Sequence, residues 1–399
     1  MPGPKLSSTA AEIRASVFAD LAPRIEAYTR AGGDLVALHI GDTHLAPPIA
    51  ARFGDVSIGD FDPALYGYGA ITATPELRAA CAARATSRGL GAIDPAKHVL
   101  VGCGATHALF CAARAILDPG DEVLLASPYW PLSHGILHAA GARPIEVPLT
   151  SRLYREPGLD AGALFDAAAT SRTRAIYLIT PNNPDGKVLS RHDLESIARV
   201  AKARDLWVFA DEVYADYTYG REHVSFATLD GMFDRAVTAS SFSKSHALAG
   251  ARVGFVVASE RVVAAARKVS THTIFNVPVV AQRVATAAIS DDVAWIDSAR
   301  REYRAARDAA ALALRGARVD FAVAEGGSYL FLDFSALLGD RPLKDLLERA
   351  IDNGVLLAPG DAFGAGFERC ARLCFTSVPR AELATGITRL RKAMDEISV

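Results

Sequence analysis

Several polar residues of the chain stand directly after short apolar segments that are typical of strands. Asn183 and Asp211 each follow one such segment, Lys244 follows another, and Arg252 comes eight residues after Lys244. A further segment is followed by Gly104–Thr106, which opens a helical pattern. Because ligands bind beyond the carboxyl ends of the strands in an open parallel sheet, we expect these groups to converge on one rim.

Such a set of groups predicts a specific chemistry. A lysine amine can form a Schiff base with an aldehyde cofactor, and a carboxylate facing a ring nitrogen keeps that nitrogen protonated, which makes the ring an electron sink. A helix N-terminus with Ser, Thr and Arg side chains suits a phosphate monoester. The three requirements together describe pyridoxal 5'-phosphate (PLP). Taken singly, the residues have ordinary alternatives: a turn at Asn183, a helix N-cap at Asp211 and a surface lysine at Lys244.

The elements that must position these groups alternate along the middle of the chain. Helical patterns at 106–117 and 131–140, and a helix capped by Ser190 with Asp193 in a capping box, separate apolar runs. Strands are predicted at His98–Val101, Glu122–Ala126, Arg174–Thr180, Leu206–Ala210, Arg235–Ala239 and Val253–Ala258. This alternation predicts an α/β fold with a mostly parallel central sheet that is buried on both faces.

The ends of the chain have a different, α+β character. The chain has 399 residues, more than the roughly 250–300 at which a single core stops growing, so two domains are expected. Helices are predicted at 8–31, 291–315, 342–353 and 379–397, with strands at 328–333 and 372–376. We therefore predict a large domain over 45–290 and a smaller α+β domain formed by 1–44 and 291–399.

The composition excludes several classes of protein. The 43 Lys and Arg nearly balance the 45 Asp and Glu, so no bulk charge favours nucleic acid or an anionic membrane. Five Cys without C-x-x-C spacing predict neither disulfides nor a metal site, and favour a reducing, cytoplasmic location. The uncharged run 123–142 contains two prolines and two histidines, which argues against a membrane helix.

At the strand-end motifs the chain resembles the aspartate-aminotransferase family, the class I/II members of the fold-type-I PLP-dependent enzymes. The similarity extends from Leu38-His-Ile-Gly41 to Arg372, and its most specific part is the order of the motifs. These motifs are Asn182-Asn-Pro-Asp-Gly186, Asp211-Glu-Val-Tyr214, Ser241-Phe-Ser-Lys244, and Arg252 after Ala-Gly-Ala. The resemblance implies a fold-type-I PLP-dependent transferase with PLP as its cofactor.

The resemblance also implies a role for each matching residue at the cofactor. Lys244 would form the Schiff base and shuttle a proton, Asp211 would partner the pyridinium nitrogen, and Tyr214 would hydrogen-bond the phenolic oxygen. The other residues that it places at the cofactor are Gly104, Ala105, Thr106, Ser241, Ser243 and Arg252 at the phosphate, Asn183 beside the phenolic oxygen, and Trp130 stacked on the ring.

Substrate binding and subunit contacts are implied in the same way. Arg372 would grip the substrate α-carboxylate as a bidentate fork, with Gly41, Asn183, Trp130 and His44 around the substrate. Tyr68, with Tyr66 as a rival, would reach the cofactor phosphate of a neighbouring subunit, so a homodimer with shared active sites is expected. The resemblance implies transfer of an amino group between an L-α-amino acid and a 2-oxo acid.

Some positions depart from the family pattern and leave alternatives open. The segment Gly41-Asp-Thr-His44 replaces the usual Gly-x-Pro-Asp, and Thr106 stands where one aspartate-specific subgroup carries lysine, which weakens an acidic-substrate interpretation. His134 and His246 could line the pocket or be structural. The rival functions are a PLP-dependent lyase, racemase, decarboxylase or oxidative or cyclising enzyme of secondary metabolism, and a non-enzymatic effector-binding domain of a transcription regulator.

Overall fold

A computed structural model of the chain describes residues 3–13, 18–54, 63–290 and 292–397. Strands within those ranges are β1 (Val36–Ala37), β2 (Val99–Cys103), β3 (Glu122–Ser127), β4 (Arg143–Pro148), β5 (Thr173–Ile179), β6 (Trp207–Asp211), β7 (Ala236–Ser241), β8 (Val253–Val257), β9 (Tyr329–Asp333), β10 (Val355–Leu356), β11 (Ala358–Pro359) and β12 (Cys370–Cys374). The helices are α1 (Ser8–Glu12), α2 (Ala22–Arg30), α3 (Pro75–Ala85), α4 (Gly104–Ile116), α5 (Pro131–Ala139), α6 (Thr150–Arg155), α7 (Ala161–Ala168), α8 (Arg191–Ala203), α9 (Phe242–Ser245), α10 (Glu260–Thr273), α11 (Val279–Ser290), α12 (Asp292–Leu314), α13 (Ser335–Leu338), α14 (Leu343–Asp352) and α15 (Arg380–Ile397).

Seven strands form the central sheet in the spatial order β2-β8-β7-β6-β5-β3-β4. Only β8 runs against the others, since it pairs antiparallel with both β2 and β7 while the remaining pairs are parallel. The predicted mostly parallel sheet is confirmed. The edge strand β4 was not predicted, because its sequence carries two prolines and little buried apolar surface.

Alternate residues of the central strands enter different cores. In β3, Val123 and Leu125 pack with α4, α5 and α10, whereas Leu124 and Ala126 pack with α7 and α8 on the opposite face. Burial on both faces explains why these strands have continuous apolar sequences and no polar alternation. The capping box of Ser190 and Asp193 begins α8 as predicted.

The beginning and end of the chain share one apolar core. Leu21, Val36 and Leu38 cluster with side chains of β9, β12, α14 and α15, and β1 pairs parallel with β10. A second sheet in this part has the antiparallel order β11-β12-β9. This packing agrees with a small domain of two chain segments, while its boundaries at residues 45 and 290 stay a prediction.

The predicted continuous helix over residues 8–31 is wrong. The structure has α1 and α2 instead, with Ile13 in an extended conformation after α1 and a turn at 18–21 before α2. Pro23 occupies the first turn of α2, where its missing N–H costs nothing, so a new helix begins there. None of the helices in the described ranges is both long and apolar enough to cross a membrane.

Candidate active site

A cavity of about 260 Å³ lies at the carboxyl ends of β5, β6 and β7. The sequence-predicted residues that line it are Gly41, Ala105, Thr106, Trp130, Asn183, Asp211, Tyr214, Ser241, Ser243, Lys244, Arg252 and Arg372. Its remaining lining residues are Leu132, Ile179, Val213, Ala249 and Tyr329. The topology therefore brings together residues that are up to 331 positions apart in the chain, from Gly41 to Arg372.

Lys244 reaches the cavity from the short helix α9, which directly follows β7. Ser241 caps this helix, because its hydroxyl accepts a hydrogen bond from the Ser243 N–H at 3.2 Å. The Lys244 ammonium donates to the carbonyl oxygen of Gly41. Burial lowers the pKa of Lys244, and the nearby Asp42 carboxylate offsets only part of that change. A half-buried amine with a lowered pKa is suited to act as a nucleophile or a base.

Asp211 is the last residue of β6 and is buried below the cavity. Its carboxyl group accepts hydrogen bonds from the Tyr177 hydroxyl at 3.2 Å and from the Val213 N–H at 3.4 Å. Burial nevertheless raises the pKa of Asp211 to about 6. A carboxylate in this position has too few donors to offset its desolvation, so a cationic N–H in the cavity would stabilise it.

Arg372 enters the cavity from β12 and lies against aromatic rings. Its guanidinium donates to Asn183 Oδ1 at 2.9 Å and to the His39 carbonyl oxygen at 2.7 Å. It also lies 4.3 Å from the centroid of the Tyr329 ring, a cation–π contact. The buried Nε atom of Arg372 has no hydrogen-bond partner among the described residues. Arg372 lines the cavity, so its guanidinium is placed to bind an anionic ligand there.

The start of α4 and the loop before β8 form a third side of the cavity. Gly104 has a φ of +75°, and a Cβ atom at this position would lie 2.6 Å from Arg252 Nη2. Arg252 itself adopts the left-handed region with φ 54°, which costs a non-glycine residue about 1–2 kcal/mol. Its Nη1 atom donates to the Ala249 carbonyl oxygen at 2.9 Å. The arginine is thus held over the N–H groups of a helix start, a geometry suited to phosphate.

Several predicted residues do not line this cavity. Gly104 lies beside it without lining it. The ring of His44 bonds the Thr376 carbonyl oxygen at 3.0 Å, and the side chains of Tyr66 and Tyr68 are 75% and 91% exposed outside the cavity. His134 stacks on Tyr129.

His246 is fully buried next to Trp295, where burial lowers its pKa to about 3. Of its two alternatives, the pocket and the core, the structure therefore supports the core. Across the described ranges, no three His, Cys, Asp or Glu side chains are grouped so as to hold a metal ion.

Sequence reasoning missed Tyr329. Its hydroxyl lies 2.6 Å from that of Tyr214, and its ring supports Arg372. The segment Ser328–Asp333 was interpreted only as a strand, in which an aromatic residue is ordinarily core. Tyr329 could have been found from strand pairing, because its strand β9 pairs with β12, which carries Arg372. In that pairing Arg372 lies opposite Phe331, two residues after Tyr329.

Comparison with known proteins gives a consistent result. Residues 36–390 match the model of the family described as aminotransferase class I and II. The chain is 33% identical over 405 residues to an aspartate aminotransferase of Thermotoga maritima, with 98% of each chain covered. It is 33% identical over 357 residues to an arginine–pyruvate transaminase of Pseudomonas aeruginosa, with 86% of each covered.

Solved structures extend the similarity to the whole fold. An aspartate aminotransferase from Thermus thermophilus with maleate superposes with a TM-score of 0.88 at 26% identity, covering 98% of this chain and 100% of that one. The fold-type-I prediction is confirmed. The named relatives share transamination and do not favour the lyase, racemase, decarboxylase or cyclising alternatives. The chain is an enzyme of the transaminase class, and it belongs to the PLP-dependent family of class I and II aminotransferases.

Proposed function

We propose that this chain binds PLP in the 260 Å³ cavity and moves an amino group between an L-α-amino acid and a 2-oxo acid. The observation that carries the proposal is the pair of half-buried Lys244 and buried Asp211, two ionisable groups that line one cavity. Burial disfavours the charged form of each, since it lowers the pKa of Lys244 and raises that of Asp211. Perturbed groups of this kind cluster at functional sites.

The donors and acceptors around the cavity fit the cofactor. Asp211 would accept from the protonated ring nitrogen, the cationic N–H that its buried carboxylate otherwise lacks. Tyr214 and Asn183 would face the phenolic oxygen, and Trp130 the ring face. The phosphate would be held by the first turn of α4 (Gly104, Ala105, Thr106) with Ser241, Ser243 and Arg252. When bound, PLP supplies a ring that can accept the electron pair released at the substrate Cα.

Lys244 and Arg372 would have different roles at the substrate: Lys244 would transfer a proton and Arg372 would bind the α-carboxylate. With its pKa lowered by burial, the Lys244 amine can accept the proton from the substrate Cα, and it can deliver a proton to that atom when a 2-oxo acid is converted to an amino acid. Arg372 would bind the α-carboxylate, with its orientation fixed by Asn183, the His39 carbonyl oxygen and the Tyr329 ring. The Gly41 backbone lies beside Lys244, because its carbonyl oxygen accepts a hydrogen bond from the lysine.

A homodimer completes the proposed site. Tyr68 packs edge-on against Phe275 at 5.1 Å, yet its side chain is 91% exposed and lies outside the cavity of its own chain. We propose that Tyr68 reaches the cofactor phosphate of the partner subunit, with Tyr66 as the rival residue. The small domain of 1–44 and 291–399 would carry Arg372 against the large domain of 45–290. A cytoplasmic location fits the five free cysteines, which form no disulfide.

A half-reaction tests the proposal. Purified protein loaded with PLP is mixed with single L-amino acids in the absence of a 2-oxo acid, and its absorbance spectrum is followed. We expect at least one amino acid to convert the cofactor to its pyridoxamine form, with release of the matching 2-oxo acid, and a 2-oxo acid to restore the original spectrum. Release of ammonia or an olefin without the pyridoxamine form would contradict transamination.

A further inference from the structure

A second cavity of about 940 Å³ adjoins the first one. The two share Thr106, Leu132 and Arg252 in their walls. In the proposed reaction the α-carboxylate is held at Arg372 and the reacting Cα lies near Lys244. Thr106 and Arg252 are assigned to the phosphate, so Leu132 is the shared residue that marks the direction left for the substrate side chain, and the second cavity is the space beyond it.

The walls of the second cavity are largely apolar. Phe110 of α4 and Leu132 and Ile136 of α5 contribute to it, together with Phe18 from the segment before α2. The Leu132 side chain is 51% exposed although it lies between the two cavities. An apolar side chain left open beside a reactive centre gains stabilisation when a ligand removes it from water.

Charge in the second cavity disfavours an acidic ligand. Within the described part of the chain, the only Lys or Arg residues that line either cavity are Lys244, Arg252 and Arg372, and each has a role in the proposed site. Two histidines also line the second cavity, but His107 is bonded to Thr273 at 2.8 Å and His134 is stacked on Tyr129. Asp361 and Asp20 add negative charge to the same walls. A distal carboxylate would therefore lose hydration without gaining a cationic partner.

A cationic side chain gains little from the same walls. Asp20 and Asp361 are both exposed, and an ion pair in contact with water is worth little because solvent and salt screen it. The apolar walls, in contrast, extend from the shared wall into the cavity, and an uncharged side chain would bury surface along that whole length.

We propose that the second cavity receives the substrate side chain and that the preferred substrate carries a large uncharged apolar side chain, aromatic in size. Leu132 is the specificity-determining residue at the entrance, where an apolar side chain must pass. This inference rests on the proposed function, because the direction of the side chain follows from the roles of Lys244 and Arg372.

Binding of unreactive carboxylic acids to the PLP-loaded enzyme tests the preference without turnover. Absorbance titrations would compare 3-phenylpropanoate, succinate and 5-guanidinopentanoate. We expect 3-phenylpropanoate to bind at least about tenfold more tightly than either charged acid. The matching kcat/KM values for L-phenylalanine, L-aspartate and L-arginine should differ in the same order, by about 100-fold or more. Tighter binding of succinate or 5-guanidinopentanoate would overturn the inference.

A charge placed at the entrance sharpens the test. Leu132→Lys should move the phenylalanine-to-aspartate ratio of kcat/KM towards aspartate by at least about tenfold, since it supplies a cation beside a distal carboxylate. Leu312→Lys is the matched control, because Leu312 is 63% exposed on α12 and lines neither cavity. An unchanged ratio in Leu132→Lys would contradict the assigned direction of the side chain. If no amino acid produced the pyridoxamine form in the wild-type enzyme, the proposed function itself would fail instead.

Discussion

Two groups of charged side chains flank the end of β7, and they differ in how completely they are paired. Behind the strand, Asp216 binds Arg84 at 2.8 Å and Arg88 at 2.7 Å, in a space that leaves no room for a water molecule. In front of it, Lys244 and Arg372 line a cavity of about 260 Å³, and Arg372 retains an unpaired buried Nε atom.

The two groups of charged side chains are separated because side chains alternate between the two faces of a strand. Ser240 accepts a hydrogen bond from Arg88 at 3.1 Å, whereas its neighbour Ser241 lines the cavity. Successive residues of a strand point to opposite faces, so one strand end serves both groups. The difference teaches that charge alone does not mark a functional site: the paired group fixes the strand end, and the group that lines open space can bind a ligand.

The largest expected effect lies in the open group. Lys244→Ala should reduce turnover by about 10⁴-fold or more, because both the nucleophilic amine and the proton carrier are lost. The variant should still take up PLP, since the other proposed contacts remain. Steady-state kinetics and cofactor titration measure the two properties separately. Lys392→Ala, on an exposed lysine of α15, is the control that should leave both unchanged. Near-normal turnover of Lys244→Ala would contradict the role of this residue.

A substitution in the paired group behind β7 should lower the free energy of unfolding. Asp216→Asn leaves Arg84 and Arg88 without their buried carboxylate, and breaking such a pair costs about 3–5 kcal/mol in the free energy of unfolding. Burial opposes ionisation of Asp216, but the charges of Arg88 and Arg84 outweigh it and hold its pKa below the usual range. Denaturant unfolding of the cofactor-free protein measures the change.

An exposed ion pair supplies the contrast for Asp216. Asp230→Asn removes the carboxylate that Lys202 binds at 2.8 Å, but the Asp230 side chain is fully exposed. An exposed pair contributes little to stability, so this variant should unfold like the wild-type protein. Equal stability of Asp216→Asn and Asp230→Asn would show that the group behind β7 does not hold the strand end.

Asp211 should affect both stability and ligand binding, and its replacement should change the two in opposite directions. Its pKa is raised by burial to about 6 in the folded chain, above the ordinary value of 3.8. The folded state therefore disfavours the ionised form, and the stability of the cofactor-free protein should fall as pH rises from about 4 to about 6. Asp211→Asn removes that loss, so at pH 8 it should stabilise the cofactor-free protein by about 1–3 kcal/mol while it weakens PLP binding.

Unfolding at pH 4 and pH 8, with and without PLP, separates these effects. Asp205→Asn is the control, since this carboxylate is 92% exposed and far from the cavity. A cofactor-free Asp211→Asn protein that is less stable than the wild-type protein at pH 8 would contradict the assigned cause of the raised pKa.

The strand-end rule explains why the sequence predicted most of the cavity. Asn183, Asp211 and Lys244 are close in the chain to strands that periodicity identifies, so their convergence followed from the topology. The residues that the two ends of the chain contribute to the site were harder to predict. Tyr329 contacts Tyr214 across 115 positions of the chain, and the His39 carbonyl oxygen contacts Arg372 across 333 positions, so no local pattern encodes either contact. The break between α1 and α2 was missed because helical periodicity outweighed the signal of Pro23.

The smallest expected effect concerns Tyr329. Tyr329→Phe removes the hydroxyl that lies 2.6 Å from the Tyr214 hydroxyl but keeps the ring that faces Arg372 at 4.3 Å. One neutral hydrogen bond contributes about 1 kcal/mol, so kcat/KM should fall by only about three- to tenfold. Tyr28→Phe, which removes a hydroxyl that contacts the Asp34 carbonyl oxygen away from the cavity, is the control. A loss of 100-fold or more would mean that the Tyr329 hydroxyl, and not only its ring, belongs to the open group in front of β7.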